Sequence, residues 1–547
     1  TAVGLEAGKN LTTGTYNSFF GSEAGRNGTI TGSNNTAIGY ASGYSLTDGD
    51  NNAFLGLWSG FTTSTGSSNV AVGGYALRYN TTASNGTAVG YNALTSNTTG
   101  ADNVAVGYNC LDANTTGTEN TAIGSLAGTA ITTGSGNVAV GRQAGYVLSS
   151  GANNVLMGLS SGRALTTGSS NTFIGDQSGN AVTTGYNNVF IGKDAGTSTT
   201  TVAHNVAIGT NAMAGTPNAT SANFNVSVGF FAGTGISTGD DNISIGRSGM
   251  TASAGVTGSY NIGIGHTALQ DITSSEKNVA VGYNALANLT TGNRNVAIGQ
   301  QAGEHATTAF GNVIVGSSAA SAGLTGSSNV LVGISSAGAL TSGTDNIFVG
   351  NSAGSQTTTA DDNVFVGANA GTFNTTGHSN TFIGYRAAAD DETTSAGTNV
   401  TTGSNLTNIG FKARASSSTA TNQVTLGNSS ISSLRCQVQT ISSLSDARDK
   451  TDITPLQAGL DFVERLDPVS FTWNMRDGGK VGIEETGFIA QDLQQVQEDT
   501  GVEIPGLVSD DNPERLEAAY GKLVPVLVQA IKDLSAKVNE LEAQINS

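Results

Sequence analysis

The sequence predicts a mainly β protein: a parallel β-roll or β-solenoid shaft of 17-residue repeats, then an α+β domain ending in a coiled coil. Three observations predict it. Glycine recurs at a fixed interval of 17, apolar residues alternate just before each of those glycines, and composition changes abruptly near residue 440.

The interval is strict. Gly39, Gly56, Gly73, Gly90, Gly107, Gly124, Gly141, Gly158, Gly175, Gly192 and Gly209 are each 17 residues apart. The ladder continues through Gly229, Gly246 and Gly265, then in steps of 17 from Gly282 to Gly384, and ends at Gly410 and Gly427. A period of this size sustained over about 25 units means stacked supersecondary units rather than a globule. The unit reads roughly N-[V/T/I]-x-[V/I]-G-x-x-[A/S]-[G/L], as in Asn103-Val104-Ala105-Val106-Gly107-Tyr108-Asn109-Cys110-Leu111.

The columns of this alignment carry the structural expectation. One residue before the marker glycine the side chain is always apolar, as in Val72, Ile123, Val140, Met157, Ile298 and Leu426, and three before it stands Val, Ile or Thr in nearly every turn. That alternation predicts short strands with these two residues pointing into a core. The position between them is Ala or bulky (Phe19, Phe54, Phe173, Phe190) and is expected to point outward, making a second buried surface between chains. The row Ile314, Leu331, Phe348, Phe365, Phe382 reads as such packing, with a receptor-binding strip as the other reading. Three residues after the marker the side chain is small, which means close backbone approach inside the coil. Asn recurs four before it, a turn residue tolerating left-handed geometry and able to stack into an amide ladder. At about 4.8 Å per turn the shaft would run roughly 120 Å, and so slim a coil needs end caps or self-association.

Charge locates the boundary. Residues 445–547 hold 9 of the 22 Lys and Arg and 20 of the 40 Asp and Glu, and five of the six prolines follow Ser445, while 68 of the 76 glycines precede it. The expected organisation is a repeat shaft over 1–427, a stem over 428–444 and a charged domain over 445–547 with a helix at about 520–547. The net charge of −18 argues against a nucleic-acid groove. Two cysteines rule out a disulfide scaffold, and no apolar run of 18 residues predicts a membrane span. The chain opens mid-pattern on Thr1-Ala2-Val3-Gly4, so a missing N-terminal part is expected and a signal peptide stays open.

Several site-like features dissolve in this frame. Cys110 lies in the small column and reads as packing. His204, His266, His305 and His378 fall in four different columns, so no metal site or other cofactor is expected. No phosphate-loop signature occurs, since Lys9, Lys193, Lys480 and Lys522 follow Gly but precede Asn, Asp, Val and Leu. Departures from the period are better candidates for binding. The steps Gly209 to Gly229, Gly246 to Gly265 and Gly384 to Gly410 insert loops, the largest running through Asp390-Asp391-Glu392.

The repeat resembles the head domains of trimeric autotransporter adhesins, whose units also carry an N-x-A-x-G-type strand. The resemblance covers residues 1–430, though this period is longer than the usual one. It implies a left-handed parallel β-roll, three to a trimer.

The tail carries four ordered motifs: Ser445-Asp446-Ala447-Arg448-Asp449-Lys450-Thr451-Asp452-Ile453, Leu466-Asp467-Pro468-Val469-Ser470-Phe471-Thr472-Trp473, Gly487-Phe488-Ile489-Ala490-Gln491-Asp492-Leu493, and Tyr520-Gly521-Lys522-Leu523-Val524-Pro525-Val526-Leu527. Together they resemble the C-terminal intramolecular chaperone of phage tail fibres and tailspikes, the endosialidase-type self-cleaving domain. The resemblance implies that Ser445 attacks the carbonyl of Leu444 with Lys450 as base, cutting Leu444–Ser445. A lysine with a reference pKa of about 10.4 needs desolvation or neighbouring positive charge for that role. Arg448 is placed to supply charge, opposed by Asp446 and Asp449, the last standing where many relatives carry an apolar residue.

Leu527, Ile531, Leu534, Val538, Leu541 and Ile545 alternate spacings of four and three, a coiled-coil seam with Lys532, Asp533, Lys537, Asn539 and Glu540 outside. β-branched residues at one seam position and Leu at the other favour a dimer by the simple rule, whereas the family resemblance implies a trimer. It further implies a homotrimeric virion tail fibre assembled in the host cytoplasm. Its partners would be itself, a host surface receptor (a glycan or outer-membrane component) and other tail proteins through the missing N-terminal part. The alternatives are a bacterial trimeric surface adhesin and a polysaccharide-degrading tailspike, which needs paired acidic residues in a groove.

Overall fold

In a computed structural model the described residues are 1–215, 221–389, 399–431, 433–435, 445–475, 481–510 and 516–546. They divide into two compact units, Thr1–Thr344 and Asp345–Ser547.

The first unit is a solenoid with one strand per turn. Its strands run from Ala2–Val3 to Val330–Val332, and each pairs in parallel with the same residues of the next turn. Val70–Val72 lies against Thr87–Val89, for example, with Ala71 opposite Ala88. The β-branched residues on either side favour the extended backbone. The marker glycine ends each strand because only glycine fits there: Gly175 has φ +135°, and a Cβ would stand 2.4 Å from the carbonyl oxygen of Gly192.

Inside and outside are opposite to the sequence-based expectation. The residue two before the marker is the buried one: Phe19, Ala37, Phe54, Ala71, Phe173 and Phe190 are all fully buried. The residues on either side point outward, and Ile38, Val72, Ile123 and Ile298 stay 37–43% exposed. A three-residue strand offers the interior one side chain, and the rest of the core comes from the turn.

Volume is traded between columns to keep that interior filled. In some rungs where the strand supplies Ala, as at Ala71, Ala88 and Ala105, the residue four after the marker is Leu77, Leu94 or Leu111, each fully buried with φ near +50°. In others, as at Ala37, Ala122 and Ala139, it is Gly, and the bulky residue is Leu46, Ile131 or Leu148, seven after the marker. Where it supplies Phe173 or Phe190, that position is Gly179 or Gly196, and a Cβ there would lie 2.5 or 2.3 Å from the phenyl ring. A close-packed interior makes the columns share its volume without leaving a void.

The asparagine column is an amide ladder. In most rungs the side-chain oxygen accepts from the backbone N–H and side-chain amide of the next asparagine, as Asn35 does from Asn52 at 3.0 Å and 3.0 Å, and Asn52 Nδ2 also donates to the carbonyl of Gly66. The left-handed residue is the one before it, Asn34 and Asn51 at φ +60° and +59°, rather than the ladder asparagine itself. A second ladder, Asn80–Asn97–Asn114, lies seven after the marker in the rungs with Leu in the turn. These chains satisfy polar groups that the core would otherwise strand at a cost of about 1–3 kcal/mol each. The small column is also internal, with Ala24, Ser42, Ser59 and Ala76 buried.

In the second unit, strands Ile347–Val349, Val364–Val366 and Thr381–Ile383 repeat the pattern, and two longer strands follow, Ser404–Ile409 and Thr421–Leu426. Phe348, Phe365 and Phe382 stack inside the coil with centroids 4.6 and 4.7 Å apart. Leu331 and Ile314 are likewise fully buried in the first unit. None of the five is an outward strip, so neither intersubunit packing nor receptor contact falls to them.

The same unit contains helices α1 (Leu460–Glu464), α2 (Ala490–Thr500) and α3 (Leu523–Ile545) and a hairpin of Val469–Asn474 with Val481–Gly487. Their core gathers Ala458, Phe462, Val496, Ile504, Leu507, Leu523 and Val526. Asp533 is not purely an outer residue of α3, because its carboxylate accepts from the backbone N–H of Leu460 at 3.0 Å at the start of α1.

Candidate self-processing site

Ser445 and Lys450 lie on either side of a short 3-10 turn, Ala447–Asp449. Asp446 is its N-cap, accepting from the backbone N–H of Arg448 at 2.9 Å. The turn reverses the chain, so residues five apart meet: Lys450 Nζ lies 2.6 Å from Ser445 Oγ and 3.4 Å from its carbonyl oxygen. The Arg448 guanidinium grips the Asp446 carboxylate, with Nη2 to Oδ2 at 2.5 Å and Nε at 3.0 and 3.1 Å from the two oxygens. This hydrogen bonding holds the Asp446 carboxyl below its usual range and raises the pKa of Arg448. Arg448 therefore directs its charge at Asp446, and residues 445–450 are all exposed. Leu444 lies outside the described residues, as do the Asp390-Asp391-Glu392 loop and most of the 428–444 stem.

Two of the downstream motifs meet at one latch. Tyr520 OH donates to the carbonyl of Phe488 at 2.9 Å and accepts from its backbone N–H at 3.0 Å, and the two rings meet edge to face at 5.5 Å. Two motifs separated by 32 residues are thus joined by one hydroxyl. The pairing was not readable beforehand, since neither Tyr520 nor Phe488 carries a sequence signal naming its partner. Within the third motif Ile489 precedes α2 as its N-cap, and in the second Trp473 Nε1 donates to Glu485 across the hairpin.

On α3 the predicted seam is open. Leu527, Ile531, Leu534, Val538, Leu541 and Ile545 are 44–82% exposed, whereas Leu523, Val526 and Ala530 of the same helix are buried against its own unit.

Cys110 is buried in the small column, its Sγ donating to the carbonyl of Ala122 at 3.2 Å, and burial pushes its thiol up to about 12. The thiolate needed for alkylation is then scarce at neutral pH. With Cys436 replaced by Ser, iodoacetamide at pH 8 is expected to leave the folded chain unmodified and to add one group after unfolding. Modification of the folded chain, read by intact mass, contradicts the buried placement. Among the described residues no three His, Cys, Asp or Glu converge as a metal site, and no helix is long and apolar enough to cross a membrane.

Comparison with known proteins places the segment beginning at Ser445 in a recognisable family. Residues 445–502 match the family described as chaperone of endosialidase. Two curated relatives are long tail fiber protein Gp37 of Enterobacteria phage K3 and of Enterobacteria phage T2, each 32% identical over 105 residues, 18% of this chain. The aligned stretch is only 8% and 7% of those relatives' lengths. No solved structure matches the chain significantly. The solenoid, the family match and these relatives together support a phage tail fibre with a C-terminal chaperone domain, and a place in the virion tail is consistent with them. The bacterial adhesin and the polysaccharide-degrading tailspike are not favoured.

Proposed function

We propose that the chain is the shaft of a homotrimeric tail fibre that attaches to the host surface, folded by residues 445–547, which then release themselves. The observation that carries the processing step is the 2.6 Å contact of Lys450 Nζ with Ser445 Oγ at the first residue of the matched domain. As the neutral amine, Lys450 takes the hydroxyl proton while Oγ bonds to the carbonyl carbon of Leu444. The C–N bond breaks, the proton passes to the departing amine of Ser445, and water hydrolyses the resulting ester to a Leu444 carboxylate and a free serine. The cut would leave a shaft of 1–427 with its 428–444 stem. No external substrate is needed, so the chain would act as a peptidase once, on itself.

The outward rows on either side of each buried strand residue support self-association. Apolar side chains recur there at every rung, including Ile208, Ile245, Ile264 and Ile298 at 37–43% exposure. A partner that follows such rows must have the same rise per rung, and a second copy of this coil has it.

The test is intact mass and a denaturing gel of freshly expressed protein beside Ser445→Ala and Lys450→Met. Wild type is expected as a 444-residue shaft and a 103-residue fragment, with both variants whole. Wild type that also stays whole removes the catalytic assignment and leaves residues 445–547 at most a permanent assembly module.

A further inference from the structure

Five consecutive turns of the first unit carry an aromatic surface unlike the rest of the coil. Tyr44 stacks on Phe61 at 4.9 Å, Phe61 meets Trp58 at 5.7 Å, Trp58 meets Tyr75 at 5.5 Å, Tyr75 meets Tyr91 at 5.4 Å, and Tyr91 stacks on Tyr108 at 6.0 Å. These six rings form one unbroken chain of contacts from rung to rung. Tyr91 and Tyr108 are 50% and 53% exposed, and the Arg78 guanidinium packs beneath the strip, 4.3 Å from the Trp58 centroid and 5.2 Å from that of Tyr75, with its Nε buried.

The next turn puts Ser125, Leu126 and Thr129 in the same columns, and the chain of rings stops. A surface used for packing identical coils recurs at every rung, as the outward rows beside the strands do. This one is local, which marks it as a site for something other than a second copy.

We infer that this strip binds a host-surface polysaccharide lying along the coil; the inference rests on the attachment role proposed above. Sugar rings present flat C–H faces rimmed by hydroxyls. A row of rigid, amphipathic rings gives the faces apolar contact at low entropic cost, and its Tyr hydroxyls offer polar partners for the rim. A polymer of repeating rings also suits a platform that advances ring by ring. A folded protein partner would instead be expected to meet a closed patch with a desolvated centre and polar rim.

The test uses the full chain, labelled and incubated with a panel of bacterial strains. Polysaccharide extracted from a bound strain is then titrated against wild type, Trp58→Ala, Tyr91→Ala, Trp58→Phe and Tyr260→Ala, an exposed ring outside the strip. The two strip-to-alanine variants are expected to bind at least about ten-fold more weakly, as loss of a stacked ring implies. Trp58→Phe and Tyr260→Ala should stay close to wild type, which separates loss of the ring from loss of the fold. The inference is overturned if the strip variants bind like wild type. It also falls if cells are bound while their polysaccharide is not, an outcome that leaves attachment standing and points to a protein receptor. If no strain is bound, the attachment role itself fails and takes this inference with it.

Discussion

Gly175→Ala is expected to destabilise the solenoid by about 3 kcal/mol or more, enough to show as a large drop in melting temperature and in protease resistance. Two separate effects act at that residue. The φ of +135° lies where an L side chain is strained, and the new Cβ would stand 2.4 Å from the Gly192 oxygen and 2.6 Å from its carbonyl carbon. Neither neighbour is the free end of a flexible side chain; both are the backbone of the next rung, so relief means opening the coil. Because stability in a repeat array is a sum of rung and interface terms, a break in mid-coil separates two otherwise sound stacks. Gly74→Ala is the control. It follows a marker glycine, has ordinary backbone, and its Cβ would meet only the Tyr91 ring at 3.5 Å. A change within about 0.5 kcal/mol is expected there. Equal melting of the two variants would show that the marker column does not constrain the coil.

Ile531→Asp combined with Leu534→Asp is expected to abolish assembly. These side chains are 67% and 50% exposed in the single chain, and the helix face carrying Leu523, Val526 and Ala530 is already committed to its own unit. In the proposed trimer the variant removes intermolecular contacts and spares the intramolecular ones. Burial of each seam side chain contributes about 1.5–3 kcal/mol, and placing carboxylates there adds charge repulsion between copies. Light scattering should report three times the chain mass for unprocessed Ser445→Ala protein and the monomer mass once the seam is charged. Lys532→Ala, on the exposed flank, should leave the mass unchanged. A seam variant that keeps the wild-type mass would place the assembly contacts elsewhere. Loss of the trimer should also lower the yield of folded shaft, because in-register alignment of identical coils guards against slips of one rung.

Much of the molecule was legible in the order of its residues. The 17-residue spacing of glycine set the rung, since each marker position needs a conformation that only glycine adopts without strain. The asparagine and small-residue columns followed from the same alignment, and the structure has them as an internal amide ladder and an internal row of Ala and Ser. The start of the charged domain at Ser445 coincides with the start of the family match. The five-residue spacing of Ser445 and Lys450 does bring the two side chains together, through a turn capped by Asp446.

What only the tertiary structure decided was which face of each strand looks inward. Alternation has two phases, and hydrophobicity chooses the wrong one here: the outward residues are Val, Ile and Leu, while many inward ones are Ala. The deciding contribution comes from outside the strand, where Leu77 or Leu94 turns in from a left-handed corner to fill the space an alanine leaves. Gly179 vacates the same place so that Phe173 can occupy it. That exchange of volume depends on which columns meet across the coil, and no strand pattern encodes it. The Tyr520–Phe488 latch, the capping of α1 by Asp533 and the joined rings from Tyr44 to Tyr108 are of the same kind. Sequence determined the rung and its repeat; three-dimensional packing determined which side chains share a space.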